Sequence, residues 1–436
     1  VLVRGGLRKG DVVAAFAGAE KIASGALQTS FVEHAYIEPE AGFAQRVGNR
    51  IEITACTQAP YMDLDEVARV LAVEKDAVRI IPSACGGGFG GKLDVSLQPL
   101  LAVAAWKLGQ PVRCVYTRVE SMASSTKRHP ASIEARAAAD KEGRLLAIDM
   151  TADFNTGAYA SWGPTVADRV PVHGSGPYFV PNIRMGSRAI YTNEPPAGAF
   201  RGFGVPQAAS IQEQLYDDLA LGRGMDPVEF RRMNAIQPGQ PTATGQVLES
   251  SVGIGKCLDA LRPHWETLRR QAETQNQKSD GPRRRGVGIG CMWYGCGNTS
   301  MSNPSTIRVS LSRDGRLTLF NGAVDIGQGS YTVMLQICAD ALGLPPDAFD
   351  RVQGDTDLTP DAGKTSASRQ TFVTGKAAYL AGRDLRSMIL RLANASDEAR
   401  LSLDGASVIV AEGSRETAID LAALPEIKSD GIVLAG

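Results

Sequence analysis

The sequence predicts an α+β protein of two related halves, and three observations predict it. The first is a strand–turn–strand pattern at residues 132–138 and 145–152, around Lys141-Glu142-Gly143. The pattern returns at 306–312 and 317–324, around Arg313-Asp314-Gly315. Alternating apolar runs joined by a glycine-containing turn are a hairpin signature. Second, each hairpin leads through an aspartate, Asp153 or Asp325, into a glycine-containing loop. Third, a polar stretch at 269–285, rich in Gln, Asn, Ser, Asp, Gly and Pro, reads as a boundary. The expected division is a first domain at 1–268, a linker at 269–285 and a second domain at 286–436.

In chain order, residues 11–28 are Ala-rich and helix-compatible. Residues 29–45 hold an aromatic and acidic patch, with Pro39 after Glu38. Residues 50–55 alternate as a strand, 63–71 read as a short helix, and 77–81 as another strand. After a glycine loop the pattern gives a helix at 95–108 and a strand at 112–117. Helices are also expected at 208–221 and 331–342.

Between the strand at 77–81 and its helix lies Cys85-Gly86-Gly87-Gly88-Phe89-Gly90-Gly91-Lys92, five glycines in six positions. Glycines there free the backbone for positive φ and close approach, and a glycine turn before a helix suits a phosphate. Gly86, Gly88 and Gly91 match the dinucleotide pattern, and Gly86 to Lys92 match the P-loop except that Leu93 stands where Ser or Thr would hold magnesium. A ligand-free tight turn explains the same residues. Three further loops share this character. One, from Ala199 to Gln207, sets Arg201 and Phe203 among glycines and prolines, suiting an anion and a flat ring. One is Gly327-Gln328-Gly329. One runs from Gly354 through Thr365-Ser366-Ala367-Ser368-Arg369-Gln370-Thr371, where helix capping is the simpler reading of the hydroxyls. Four such loops, each opening a helix, suit a large phosphate-bearing cofactor.

Composition narrows the class. A chain of 436 residues, 43% hydrophobic with net charge −1, has no overall charge to attract nucleic acid or a membrane surface. No apolar run reaches the ~20 residues of a membrane span. Seven scattered cysteines fit reduced thiols in the cytoplasm. The four histidines have no metal-ligand spacing, so no protein metal site is expected. Val1 is not an initiator residue, and both ends read as mid-domain sequence.

Together, and in this order, the four loops resemble the molybdenum-cofactor-binding subunit of the xanthine dehydrogenase/aldehyde oxidase family, across residues 15–385. The resemblance implies two elongated molybdopterin-binding domains, the second incomplete here. It implies molybdenum held by a pterin dithiolene, in bacteria commonly the cytosine dinucleotide form, with 2Fe-2S and FAD on partner subunits. The implied reaction is hydroxylation of an electron-poor carbon of an N-heteroaromatic, nicotinate- or purine-like, with water as oxygen donor. An aldehyde oxidoreductase is the alternative; a Rossmann or P-loop protein, or a non-catalytic assembly subunit, comes from another class.

Carried over by position, Gly88, Phe89 and Gly90 lie against the cofactor. Arg201 faces the reacting end as the catalytic residue, and Phe203, Arg169 and Leu93 meet the substrate. Gly327, Gln328, Gly329, Ser366, Ala367, Ser368, Arg369 and Gln370 hold the pterin or its phosphates. Two departures stand out. Val32 occupies the place expected for a glutamine near the reacting end. The family's base, a glutamate in Gly-x-Gly-Glu, is missing, since no Gly-Glu dipeptide occurs. Either the chain is truncated or the molybdenum protein is split, as in nicotinate-dehydrogenase-like enzymes; the split form is the expected one, with a further chain carrying that motif as partner.

Overall fold

The computed structural model describes residues 1–297, 302–427 and 431–436. The chain forms two compact units, and each is discontinuous. Unit 1 is Val1–Glu33 with Thr126–Tyr294; unit 2 is His34–Ser125 with Gly295–Gly436. These contact units are discontinuous and do not follow the expected division at 268. The supposed linker begins inside helix Ile254–Gln277, because a polar composition also suits an exposed amphipathic helix.

Unit 1 holds a five-stranded sheet in the order Val3–Lys9, Asn182–Tyr191, Leu145–Gly157, Ala131–Ala139, Lys21–Gln28. The turn at 140–144 is as expected: Asp140 Oδ1 accepts from the amides of Glu142 and Arg144, and Gly143 takes φ +89°. Buried Ile133, Ala135 and Ala137 alternate with exposed residues along one strand. Helix Val205–Gly222 packs on that strand and on Lys21–Gln28. The helix-compatible start shortens to Val12–Ala17, capped by Asp11, and Lys21–Gln28 is a strand. β-Sheet pairing with Ala131–Ala139 there overrides alanine's local helix preference.

Unit 2 holds a sheet ordered Val78–Pro82, Arg50–Ala55, Ala41–Val47, Val112–Val115, covered by helices Pro60–Leu71 and Gln98–Leu108 around Ile51, Ile53, Val67, Ile80 and Leu101. A second sheet is ordered Phe349–Gln353, Leu317–Asn321, Ile307–Ser312, Ile432–Ala435 and packs helices Ser330–Leu342 and Gly375–Ala393 around Val309, Leu319, Met334 and Leu385. A three-stranded sheet follows, Arg400–Asp404, Ser407–Glu412, Arg415–Asp420. Within unit 2 the loop at 354–360 braces the first two sheets. Asp355 receives a forked bond from Arg79, at 3.0 and 2.6 Å, and Asp357 one from Arg50, at 2.8 Å twice.

The repeated hairpin extends further than its sequence echo. Hairpin, helix, then a strand parallel to the hairpin's second strand occurs at 131–191 and at 307–353. A third copy lies at 41–82. The loops within and after these copies carry the candidate site residues, except Arg169, which lies on the helix of the first.

Candidate functional site

In unit 2 the glycine loop does not open a helix. Strand Val78–Pro82 ends before it, and the next helix begins at Gln98. Lys92 is 3% exposed and its Nζ donates to Glu38 Oε2 at 2.7 Å. It therefore holds the loop internally and is not the phosphate lysine of a P-loop. Some of the glycines make room for this protein's own side chains. A Cβ on Gly88 would lie 2.4 Å from Gln58 Oε1, and one on Gly91 2.7 Å from the Tyr36 ring. Phe89 stands exposed between buried Gly88 and Gly90, with φ +52°.

Gln58 organises the region, and sequence reasoning missed it. Its Oε1 accepts from the amides of Gly90, at 3.0 Å, and Lys92, at 3.3 Å. Its Nε2 donates to the Thr365 carbonyl at 2.8 Å. The Thr365 hydroxyl donates to the Val324 carbonyl at 2.6 Å, and Gln370 Nε2 donates to Thr365 Oγ1 at 3.0 Å. Two of the predicted loops thus meet through one buried amide, and the Thr365 hydroxyl ties the second of them to Val324, just ahead of the Gly327–Gly329 loop. The signal available was position: Gln58 leaves the second strand of its repeat, as Gln328 does in another.

Gly327 and Gly329 take φ +108° and +80° with open space where a Cβ would be. Gln328 is exposed, and its amide turns onto Ile326 N and Ser330 Oγ. Ala367 and Ser368 are left-handed at +51° and +55°. Their carbonyls accept from Gly297 N, at 2.7 Å, and Cys296 Sγ, at 3.2 Å. Ser366 Oγ and Gln370 Oε1 are buried polar atoms without a hydrogen-bond partner among the described residues. Two expectations are corrected here. Arg369 is 1% exposed and its guanidinium binds Asn303 Oδ1 and the carbonyls of Pro304, Ala362 and Lys364. It builds the loop, with four of its five donors spent on the protein's own oxygens. Leu93, 1% exposed, is packed inside and offers nothing to a substrate.

In unit 1, Arg201 is exposed just before two left-handed residues, Gly202 and Phe203, at +94° and +47°. Phe203 is buried, edge-on to Trp162 at 5.9 Å. Arg169 is buried on helix Gly163–His173, 5.8 Å from the centre of the Tyr294 ring, while neighbouring Asp168 is exposed. The Tyr294 ring also stacks on His173 at 5.7 Å. Phe89, Phe203, Ala367 and Ser368 are all non-glycine residues at positive φ, each costing about 1–3 kcal/mol. Such strain gathers at functional loops.

The chain matches the molybdopterin cofactor-binding domain family over residues 2–235 and again, in a second domain model, over 260–432. This chain belongs to the molybdopterin-binding subunits of the xanthine dehydrogenase family. It is similar to the nicotinate dehydrogenase large molybdopterin subunit of Eubacterium barkeri, 44% identical over 257 residues, covering 59% of this chain and 60% of that protein. It is similar to the xanthine dehydrogenase molybdenum-binding subunit of Escherichia coli, 33% identical over 87% of this chain and 51% of the relative. The aldehyde oxidoreductase of Desulfovibrio gigas superposes with TM-score 0.84 at 28% identity, over 96% of this chain and 49% of that one. The chain therefore spans about half to three-fifths of the length of these relatives.

A molybdopterin fits the unit 2 loops on their own chemistry. Among the described residues Ser366 Oγ and Gln370 Oε1 lack partners, and a buried acceptor or hydroxyl is costly until it is bonded. The space over Gly327 and Gly329 admits a close ligand. Val32, at the place expected for a glutamine, lies in unit 1 and is half exposed. No helix among the described residues is long and apolar enough to cross a membrane.

Proposed function

We propose that this chain is the large molybdopterin subunit of a molybdenum hydroxylase acting on an electron-poor carbon of an N-heteroaromatic ring, nicotinate- or purine-like. The observation that carries the reading is the junction of the glycine loop and the 365–370 loop on Gln58, with two polar atoms unpartnered among the described residues, Ser366 Oγ and Gln370 Oε1, in the second of these loops. The 44% identity to a nicotinate dehydrogenase subunit supports the ring class. Likeness to an aldehyde oxidoreductase keeps an aldehyde as the second reading.

The cofactor, when bound, supplies the two-electron redox chemistry that places a water-derived oxygen on carbon. The residues of this chain bind and orient. Gly88, Phe89, Gly90, Gly327, Gln328, Gly329, Ser366, Ala367, Ser368 and Gln370 hold the pterin and its phosphates. Arg201 presents a fixed positive charge at the reacting end. Arg169, backed by Tyr294, orients a carbonyl or carboxylate of the substrate, and Phe203 sets one wall. The cofactor is the cytosine dinucleotide form, in a cytoplasmic complex with a 2Fe-2S subunit, an FAD subunit and a chain carrying the Gly-x-Gly-Glu base.

The test is metal and nucleotide analysis of the complex purified natively through this chain. Molybdenum with releasable cytidine nucleotide is expected, with iron and flavin on co-purifying chains. Turnover should be screened on heteroaromatics and aldehydes in parallel, with Arg201→Met as control. NAD or ATP without molybdenum would overturn the cofactor. Unchanged turnover in Arg201→Met would make the chain an assembly subunit.

A further inference from the structure

Arg128 was not singled out by its sequence, yet unit 1 builds its arginine loop against it. Nη2 donates to the Arg201 carbonyl at 2.8 Å and Nη1 to Gln207 Oε1 at 3.4 Å. The guanidinium lies over the Phe200 ring, 3.9 Å from its centre. The backbone beside it runs along the same loop. Gly198 N donates to the Lys127 carbonyl at 2.9 Å, Lys127 N donates to the Pro196 carbonyl at 3.1 Å, and Gln207 Nε2 donates to the His129 carbonyl at 3.1 Å.

We propose that Arg128 is a positioning residue that fixes the direction of Arg201. It grips the loop on both sides of the turn: Phe200 and the Arg201 carbonyl before it, and Gln207 after it. Between those grips lie three successive left-handed residues, Gly202, Phe203 and Gly204. That conformation persists only where the surroundings over-determine it. Arg201 projects from the last residue before this turn, so its guanidinium is only as well aimed as its own carbonyl is held.

The cation itself is half-buried, and no carboxylate among the described residues pairs with it. Half-burial of an unneutralised charge is unfavourable, and burial accordingly pulls the Arg128 guanidinium down to about 10. A planar fork that stacks and donates twice is also a function lysine does not reproduce.

The inference rests on the proposed role of Arg201, and its test separates the two. Arg128→Lys and Arg128→Met are compared with wild type in the purified complex. Two quantities are read: amide exchange across residues 198–204, and kcat with KM per bound molybdenum. A hydrogen bond to a charged group is worth ~1.5–3 kcal/mol, and each ~1.4 kcal/mol is tenfold. Exchange at 198–204 is therefore expected to rise at least about tenfold in both variants, with strand Leu145–Gly157 unchanged. Turnover per molybdenum falls by a similar factor while KM moves little. A purely structural role would lower the yield of loaded enzyme and leave kcat per molybdenum intact. Wild-type exchange and kcat in Arg128→Lys overturn the proposal, and that variant decides if Arg128→Met fails to fold. Should Arg201→Met keep full turnover, the reading of Arg201 fails, while the exchange data still report whether Arg128 holds the loop.

Discussion

Asp63 sits fully buried on the first turn of helix Pro60–Leu71, where Gln98 Nε2 donates to its Oδ2 at 3.1 Å. Burial pushes its carboxyl up to about 7, against the opposing hydrogen bonds from Thr57 and Gln98. Unfolded, the group releases its proton near 3.8; folded, it keeps it to about 7. Between those values folding takes up a proton, so stability declines as pH rises through the window and is level above it. Asp63→Asn should abolish that slope and be the more stable protein above neutral pH, by at most ~4 kcal/mol. Urea denaturation of both proteins across the window checks this, and comparison at each pH cancels His129 and His173, which burial holds down to about 4. Parallel pH profiles would mean that Asp63 is charged in the folded state. Nothing in the sequence marks Asp63, Gln58 or Arg128. Each is an ordinary polar residue whose meaning comes from partners distant in sequence: Gln58 and Thr365 are 307 positions apart. Arg201 and Phe89 stand out in the sequence by the glycines around them, and Ser366 and Ser368 by the run of small and hydroxyl residues that holds them.

At the scale of elements, glycines that look alike in sequence differ in physical role. Gly88 yields space to Gln58, whereas Gly327 faces open space at φ +108°. Gly88→Ala should push the Gln58 amide from the Gly90 and Lys92 amides, lowering stability by about 2 kcal/mol or more. Gly327→Ala should cost only the ~1–2 kcal/mol of a left-handed alanine, yet fill the space assigned to the cofactor and lower its retention. Denaturation midpoints and the molybdenum-to-protein ratio distinguish them. A Gly327→Ala protein with full molybdenum would remove that loop from the site. The hairpins were legible because alternation and turn chemistry are local. The third copy at 41–82 was not, since its turn at Gly48 has no resemblance to Lys-Glu-Gly or Arg-Asp-Gly. Helix Gln98–Leu108 began later than expected because the chain after Lys92 stays in turns until Gln98.

For the whole molecule, what matters is that the chain passes between the units three times, after Glu33, Ser125 and Tyr294. A composition shift at 269–285 could not reveal this, because unit membership is set by contacts such as Arg79 with Asp355, 276 positions apart. The two divisions predict different behaviour when the chain is cut. Residues 278–286 follow helix Ile254–Gln277, carry no regular structure and are mostly exposed, with Lys278, Arg283, Arg284 and Arg285 among them. Trypsin at low dose should nick there first. Two separate domains at 1–268 and 286–436 would come apart or be joined only weakly. In the observed partition the larger fragment carries His34–Ser125 and the smaller carries Gly295–Gly436, which together are unit 2. Their association is held by the Gln58–Thr365, Arg79–Asp355 and Arg50–Asp357 bonds. The fragments should therefore elute together in size-exclusion chromatography and separate only in denaturant. Adding Arg79→Ala, which strips Asp355 of its forked partner at a cost on the order of 2 kcal/mol, should lower the denaturant needed. Fragments that part in plain buffer would restore the division at the linker and take unit 2 apart.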